Sequence, residues 1–295
     1  MSRTTACPIA VSTWVWDSPL TGDLLADRLQ RIAAWGFEAV EMPYEEPGDW
    51  DPIQARDLLQ QHSLLPLVGC VFGPGRELAG ASSDVIATTK DYVRRCIDLA
   101  AAQGAPIVAG PIYTSVGRTG RISGRERGEL TVELKHGLRA LADYAGERGV
   151  VLGVEPLNRY ETNLINTASQ LMEILEDLPA ESIGATLDTY HMNIEESSWF
   201  EPFDLVGDRL VHLQVCANDR GTPGRDHVNW DEIGAALARI RYRGALSIES
   251  FTAENETIAT AASIWRPLAG SQDAIAVDGL AFLAKWRQTW AGELA

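Results

Sequence analysis

Apolar residues gather in eight short runs along the chain, and between the runs they return every three or four positions instead. The runs are IAVSTWVW (9–16), FEAVEM (37–42), LLPLVGCVF (64–72), APIVAG (105–110), VVLGVE (150–155), IGATLD (183–188), LVHLQV (210–215) and ALSIES (245–250). Near-continuous runs of this length read as strands covered on both faces, which is the pattern of a parallel sheet. The intervening segments read as amphipathic helices. LTGDLLADRLQRIAAWG stops at Gly36, and VIATTKDYVRRCIDLAAAQG stops at Gly104, each glycine placed where a helix end turns left-handed. Eight strand and helix units in roughly 250 residues close a barrel. The fold class expected is therefore α/β, a (β/α)8 TIM barrel, as one domain over residues 1–295. A helical C-terminal segment near 271–290 packs on the barrel or on a partner subunit. A doubly wound open sheet is the rival, and it is disfavoured because no GxGxxG or GxxxxGK[ST] follows the first strand.

The barrel reading locates the chemistry, because such barrels act at the carboxyl ends of their strands. Strand five ends on Glu155, strand six on Asp188, strand seven on Gln214 after His212, and strand eight on Glu249. These positions are 33, 26 and 35 residues apart, each close to one strand and helix unit. A single acidic residue at a strand end is ordinarily a solvated loop residue or a helix cap. Four metal-capable groups recurring at one depth are not accounted for that way. Three carboxylates at one mouth repel each other unless a cation neutralises them. A divalent metal on Glu155, Asp188, Gln214 and Glu249 is expected, with His212 as the alternative fourth ligand. Gln214 is preferred because it lies nearer the strand end. Oxygen-rich ligands favour Mn²⁺ or Mg²⁺ over zinc. Glu161, His191 and Arg220 lie in the loops continuing these strands, where they can bind hydroxyls and a carbonyl of a small polar substrate, or merely bridge turns and pair at the surface. Trp14 and Trp16, after the first strand, are expected to wall the pocket.

Composition narrows the classes. A net charge of −16 disfavours nucleic acid and anionic membranes as partners. No apolar run approaches the roughly 20 residues of a membrane span, and MSRTTACPIAV lacks the pattern of a secretion signal, so a cytoplasmic location is expected. Cys7, Cys70, Cys96 and Cys216 form no CxxC pair and read as buried small apolar groups. The lysines, Lys90, Lys135 and Lys285, all fall in helical segments, which leaves no strand-end amine for Schiff-base chemistry. SIESFTAEN after the eighth strand lacks a glycine-rich phosphate cradle, so an unphosphorylated substrate is expected.

VEPLNRYETNLINT, LDTYHMNIEE, VHLQVCANDRGTPGRDHVNW, SIESF and SIWRPL, in this order, resemble the sugar isomerase/epimerase superfamily of xylose isomerase-like TIM barrels. Within it the sequence is most similar to the D-tagatose, D-allulose (psicose) and L-ribulose 3-epimerases. The resemblance implies a divalent-metal-dependent epimerase of unphosphorylated keto sugars working through a metal-stabilised cis-enediolate. It implies Mn²⁺ or Co²⁺ as cofactor, Glu155 and Glu249 as both ligands and the acid/base pair, and Asp188 as a ligand. Glu161, His191 and Arg220 match its substrate-binding positions. A homodimer or homotetramer is implied, and a second type of subunit is also compatible. Where the family reads His-x-His on strand seven, this chain reads His212-Leu213-Gln214. That departure keeps a lyase or dehydratase acting on 3-keto glycosides or inososes as the alternative. The metal-dependent DNA-repair endonucleases of the same fold are disfavoured by the acidic charge and the five histidines.

Overall fold

The computed structural model describes residues 7–291. The chain runs β1 (Ile9–Ser12), α1 (Gly22–Trp35), β2 (Ala39–Tyr44), α2 (Pro52–His62), β3 (Leu65–Cys70), α3 (Ser83–Gln103), β4 (Ile107–Gly110), α4 (Gly124–Gly146), β5 (Val151–Val154) and α5 (Ala168–Leu175). It continues with β6 (Ile183–Asp188), α6 (Thr189–Glu195), α7 (Glu201–Val206), β7 (Leu210–Val215), α8 (Trp230–Arg239), β8 (Leu246–Ile248), α9 (Glu256–Ala261) and α10 (Gln272–Trp290). The strands pair in parallel, in chain order, and close into a barrel with β8 against β1. Each apolar run became one strand, and Gly36 and Gly104 cap their helices at φ +98° and +82°.

Two boundaries moved for local reasons. The first run predicted a strand to residue 16, but β1 stops at Ser12, whose hydroxyl accepts the Trp14 N–H and starts a 3-10 turn over Thr13–Val15. The second run continues past its predicted end through Pro43 to Tyr44. Pro43 is opposite Gly69, where a Cβ would stand only 3.0 Å from the Pro43 Cα, so a glycine on β3 lets a proline sit inside the sheet.

The barrel interior is layered. At the amino-terminal end Ala10, Ala39, Leu67, Ile107, Ala109 and Ala245 form a small apolar cluster. Above it the interior turns polar, with Glu41, Thr186, His212, Gln214 and Ser247 all buried. The change of character on β7 is made by a bulge. Its pairing with β6 steps from Ala185↔Leu210 to Thr186↔His212 and skips Val211. Val211 packs against the apolar cluster, and His212, the next residue, also reaches an interior partner. The bulge thus resets the alternation so that His212 and Gln214 both face inward.

The helices cover the barrel with a large continuous apolar cluster. All four cysteines are buried and free, as the sequence suggested. The C-terminal helix α10 packs on the barrel itself. Its Trp286 donates to the Trp230 carbonyl at 2.8 Å and meets the Trp230 ring edge-on at 5.1 Å, while Arg287 donates to the Cys7 carbonyl at 2.9 Å. Among the described residues, no helix is long and apolar enough to cross a membrane.

The closest interior approach depends on Gly153, where a Cβ would overlap Thr186 Oγ1 and lie 3.3 Å from Val211 Cγ2. Gly153→Ala is expected to destabilise the protein by about 1–3 kcal/mol through overpacking, read as a lowered Tm. An unchanged Tm would mean that β5 and β7 can move apart freely.

Candidate active site

Strand termini deliver the acidic groups. Glu155 follows β5, Asp188 ends β6, Gln214 lies near the end of β7 and Glu249 follows β8, and all four are buried. Asp188 doubles as the cap of α6, accepting the Tyr190 N–H at 2.8 Å, and so places His191 in the first turn of that helix. Arg220 comes from the loop after β7. It holds φ +67°, a left-handed conformation that costs a non-glycine residue about 1–3 kcal/mol. That cost is offset by what the conformation reaches. Arg220 Nη1 lies 2.5 Å from Asp188 Oδ2 and 2.9 Å from Glu249 Oε2. Its guanidinium is held between the Tyr190 and Phe251 rings, at 4.2 and 4.7 Å from their centroids.

Both ring nitrogens of His191 face hydrogen-bond donors. Its Nδ1 faces two donors, the Asn158 N–H at 3.0 Å and Asn158 Nδ2 at 2.9 Å, so Nδ1 carries no proton. The Asn158 amide is itself fixed, because Oδ1 accepts from the Tyr160 N–H and Nδ2 donates to Glu161 Oε1 at 2.8 Å. The His191 Nε2 stands 3.1 Å from Arg220 Nη2, and 3.5 Å from Glu155 Oε1 and 3.8 Å from Asp188 Oδ2. Burial and the nearby Arg220 charge hold the ring well below the usual histidine pKa.

Electrostatics follow from the crowding. Burial, then the Glu249 and Asp188 charges, push Glu155 well above the usual carboxylate range. Burial does the same to Glu249, against the pull of Arg220. Glu161 is also raised by burial, with Arg220 and Asn158 acting against it.

The sequence-expected residues thus largely converge. Glu155, Asp188, Glu249, His191 and Arg220 make one connected group, and Glu161 joins it through Asn158. Trp14 stands at the rim, edge-on to Phe251 at 6.1 Å, with its Nε1 donating to Glu45 Oε1 at 2.8 Å. Trp16 is placed elsewhere. It stacks on Trp35 at 5.5 Å and takes Arg28 over its ring, in the helical layer, because the 3-10 turn after β1 rotates it away from the mouth. His212 Nε2 is engaged 2.9 Å from Glu41 Oε2 on β2. Asn158 and Glu41 were not singled out from the sequence. Glu41 left a signal, the second of two charges inside the apolar run FEAVEM, whereas Asn158 in a loop left none.

The donor set fits a divalent cation. Three buried carboxylates face a single guanidinium, which leaves negative charge uncompensated. Gln214 donates through Nε2 to Glu249 Oε1 and Glu41 Oε1, both at 2.9 Å, while its Oε1 is buried with no partner among the described residues. A buried acceptor left unmet costs about 1–3 kcal/mol, and a hard cation meets it. Glu155, Asp188 and His191 also bring one donor atom each to within 4.8 Å of one another. The His191 Nε2 of that group also stands 3.1 Å from Arg220 Nη2.

A family model described as xylose isomerase-like TIM barrel matches residues 29–286. The chain is 31% identical over 281 residues to a probable ketose 3-epimerase of Synechocystis sp., covering 95% of this chain and 96% of that one. Among solved structures it superposes on an L-ribulose 3-epimerase with TM-score 0.90 and 26% identity, covering 97% and 96% of the two chains. It also superposes on a D-allulose 3-epimerase from Methylomonas sp. in complex with D-allulose, with TM-score 0.87 and 27% identity, covering 95% and 97%.

The raised carboxylates give a pH dependence with a definite sign. Folded Glu155 and Glu249 hold protons that the unfolded chain releases near the ordinary value of 4.5. Their contribution to stability is present below that value and is lost as pH rises toward the folded pKa values. The chelator-treated protein should therefore lose Tm as pH climbs above about 4.5. Added Mn²⁺ should restore it, and Glu155→Gln should make the slope shallower. A slope identical in parent and variant would show that Glu155 is not among the groups responsible.

Proposed function

We infer that this chain, which belongs to the xylose isomerase-like TIM-barrel family, is a divalent-metal-dependent epimerase of unphosphorylated keto sugars, of the ketose 3-epimerase kind. The observation that carries this reading is the buried cluster of Glu155, Asp188 and Glu249 around Arg220, with the Gln214 amide oxygen unpaired beside it. The similarity along nearly the whole chain to ketose 3-epimerases supports the substrate class.

Glu155, Asp188, Gln214 and Glu249 are the residues suited to hold the metal, with Mn²⁺ favoured by the oxygen donors and Co²⁺ or Mg²⁺ as further candidates. When bound, the ion supplies Lewis-acid polarisation of the substrate carbonyl, which acidifies the neighbouring C–H. The remaining work belongs to side chains. Glu155 and Glu249 follow strands three apart around the ring, so they reach a sugar in the mouth from different sides. One carboxylate removes the proton beside the carbonyl, leaving an enediolate, and the other delivers a proton to the opposite face, which inverts that centre. Their raised pKa values bring proton uptake and release closer to neutral pH than free carboxylates allow. His191 and Glu161, both hydrogen-bonded to Asn158, are suited to bind substrate hydroxyls. Arg220 bridges Asp188 and Glu249 and keeps its charge throughout. Trp14 and Phe251 supply an apolar wall against a sugar face. A homodimer or homotetramer working in the cytoplasm is consistent with this reading.

The test is proton exchange followed by NMR in D₂O with Mn²⁺ present. Fructose, allulose, tagatose, ribulose and 3-keto glucosides are incubated separately with the protein. Deuterium at C3 of a ketose together with its C3 epimer is expected, and Glu155→Gln or Glu249→Gln should each lower kcat by roughly 10²- to 10⁴-fold. Elimination confined to the 3-keto glucosides would move the activity to a lyase, and absence of exchange on every sugar would overturn the shared proton-abstraction chemistry.

A further inference from the structure

We propose that Glu41, on β2, is a positioning residue for the metal-binding end of the site: its carboxylate takes hydrogen bonds from His212 and Gln214 and thereby fixes which end of the Gln214 amide stays free to bind a cation. The inference rests on the metal part of the function proposed above.

The argument begins with placement. Glu41 is a charged residue inside a barrel strand, essentially without solvent exposure, and it lies on the opposite side of the β1–β8 seam from Gln214. A buried carboxylate persists only with strong partners. Glu41 has His212 Nε2 at 2.9 Å on Oε2 and Gln214 Nε2 at 2.9 Å on Oε1. Glu41 is therefore an acceptor on both oxygens.

An amide has two chemically different ends of nearly equal shape, and its surroundings decide the orientation. Gln214 Nε2 is met by two carboxylates, Glu41 and Glu249, and donates one hydrogen to each at 2.9 Å. The reverse orientation would set the amide oxygen against two acceptors. Glu249 alone does not fix this, because it also pairs with Arg220 and is itself a ligand candidate whose oxygens turn to a cation. Glu41 makes no contact with Arg220 among its hydrogen bonds and can hold the amide whether or not the site is loaded. Gln214 Oε1 is left buried and unpartnered, the state suited to a hard cation. His212, on the same face of β7, holds Glu41 in turn. Partners that orient a ligand in this way contribute to metal affinity without touching the ion.

The experiment measures Mn²⁺ binding to chelator-treated protein without substrate, by the electron paramagnetic resonance of free Mn²⁺, for the parent, Glu41→Gln, Gln214→Ala and the double variant. Glu41→Gln is expected to weaken Mn²⁺ binding roughly 10- to 100-fold, because an amide at position 41 no longer dictates the direction of its neighbour. The double variant is expected to bind no more weakly than Gln214→Ala alone, a non-additivity that a general loss of structure does not produce. Glu41→Asp keeps the charge but withdraws it by one methylene, and the same weakening is expected; it serves if Glu41→Gln does not fold by circular dichroism. Parent-like affinity in Glu41→Gln or Glu41→Asp would overturn the proposal while leaving the metal site intact. Additive losses in the double variant would also overturn it. A parent chain that binds no Mn²⁺ would overturn this proposal and the metal-dependent function together.

Discussion

Keeping several carboxylates together in a place that water scarcely reaches is the constraint around which this protein is organised. Glu155, Asp188 and Glu249 would drive one another apart or take up protons if left alone. Arg220 is held in a left-handed backbone conformation, clamped between two aromatic rings, and reaches two of the three with one nitrogen. One guanidinium balances one charge, and burial together with the remaining negative charge raises Glu155 and Glu249.

The barrel meets that constraint by dividing its interior. Small apolar residues close the amino-terminal end, so that the polar layer stands on a dry floor. The β7 bulge marks the boundary, spending one extra residue to leave Val211 with the floor and to turn His212 and Gln214 toward Glu41. The loops above are equally ordered. Asn158 donates from its backbone N–H to His191 Nδ1 and from its amide nitrogen to Glu161, while its amide oxygen accepts from the Tyr160 N–H.

The same division explains what could be read in advance. Eight apolar runs and their spacing led to the barrel, because strands covered on both faces are apolar along their length whatever their neighbours are. Strand ends carrying Glu155, Asp188, Gln214 and Glu249 pointed to the mouth, because their depth along a strand is a property of the local sequence once the fold is known. Trp16 went the other way, since a 3-10 turn begun by the Ser12 hydroxyl set its direction.

The sequence by itself determined the barrel and the rank of carboxylates at its carboxyl end, because periodicity and residue type act along the chain. Only the tertiary structure decided that Glu41 joins Gln214 and His212, that Arg220 lies between Asp188 and Glu249, and that the Asn158 N–H meets His191 Nδ1. Each of these is a contact between residues 29 or more positions apart, or on strands brought together only by ring closure. A hydrogen bond's direction depends on what stands opposite it, and what stands opposite is fixed when the barrel closes.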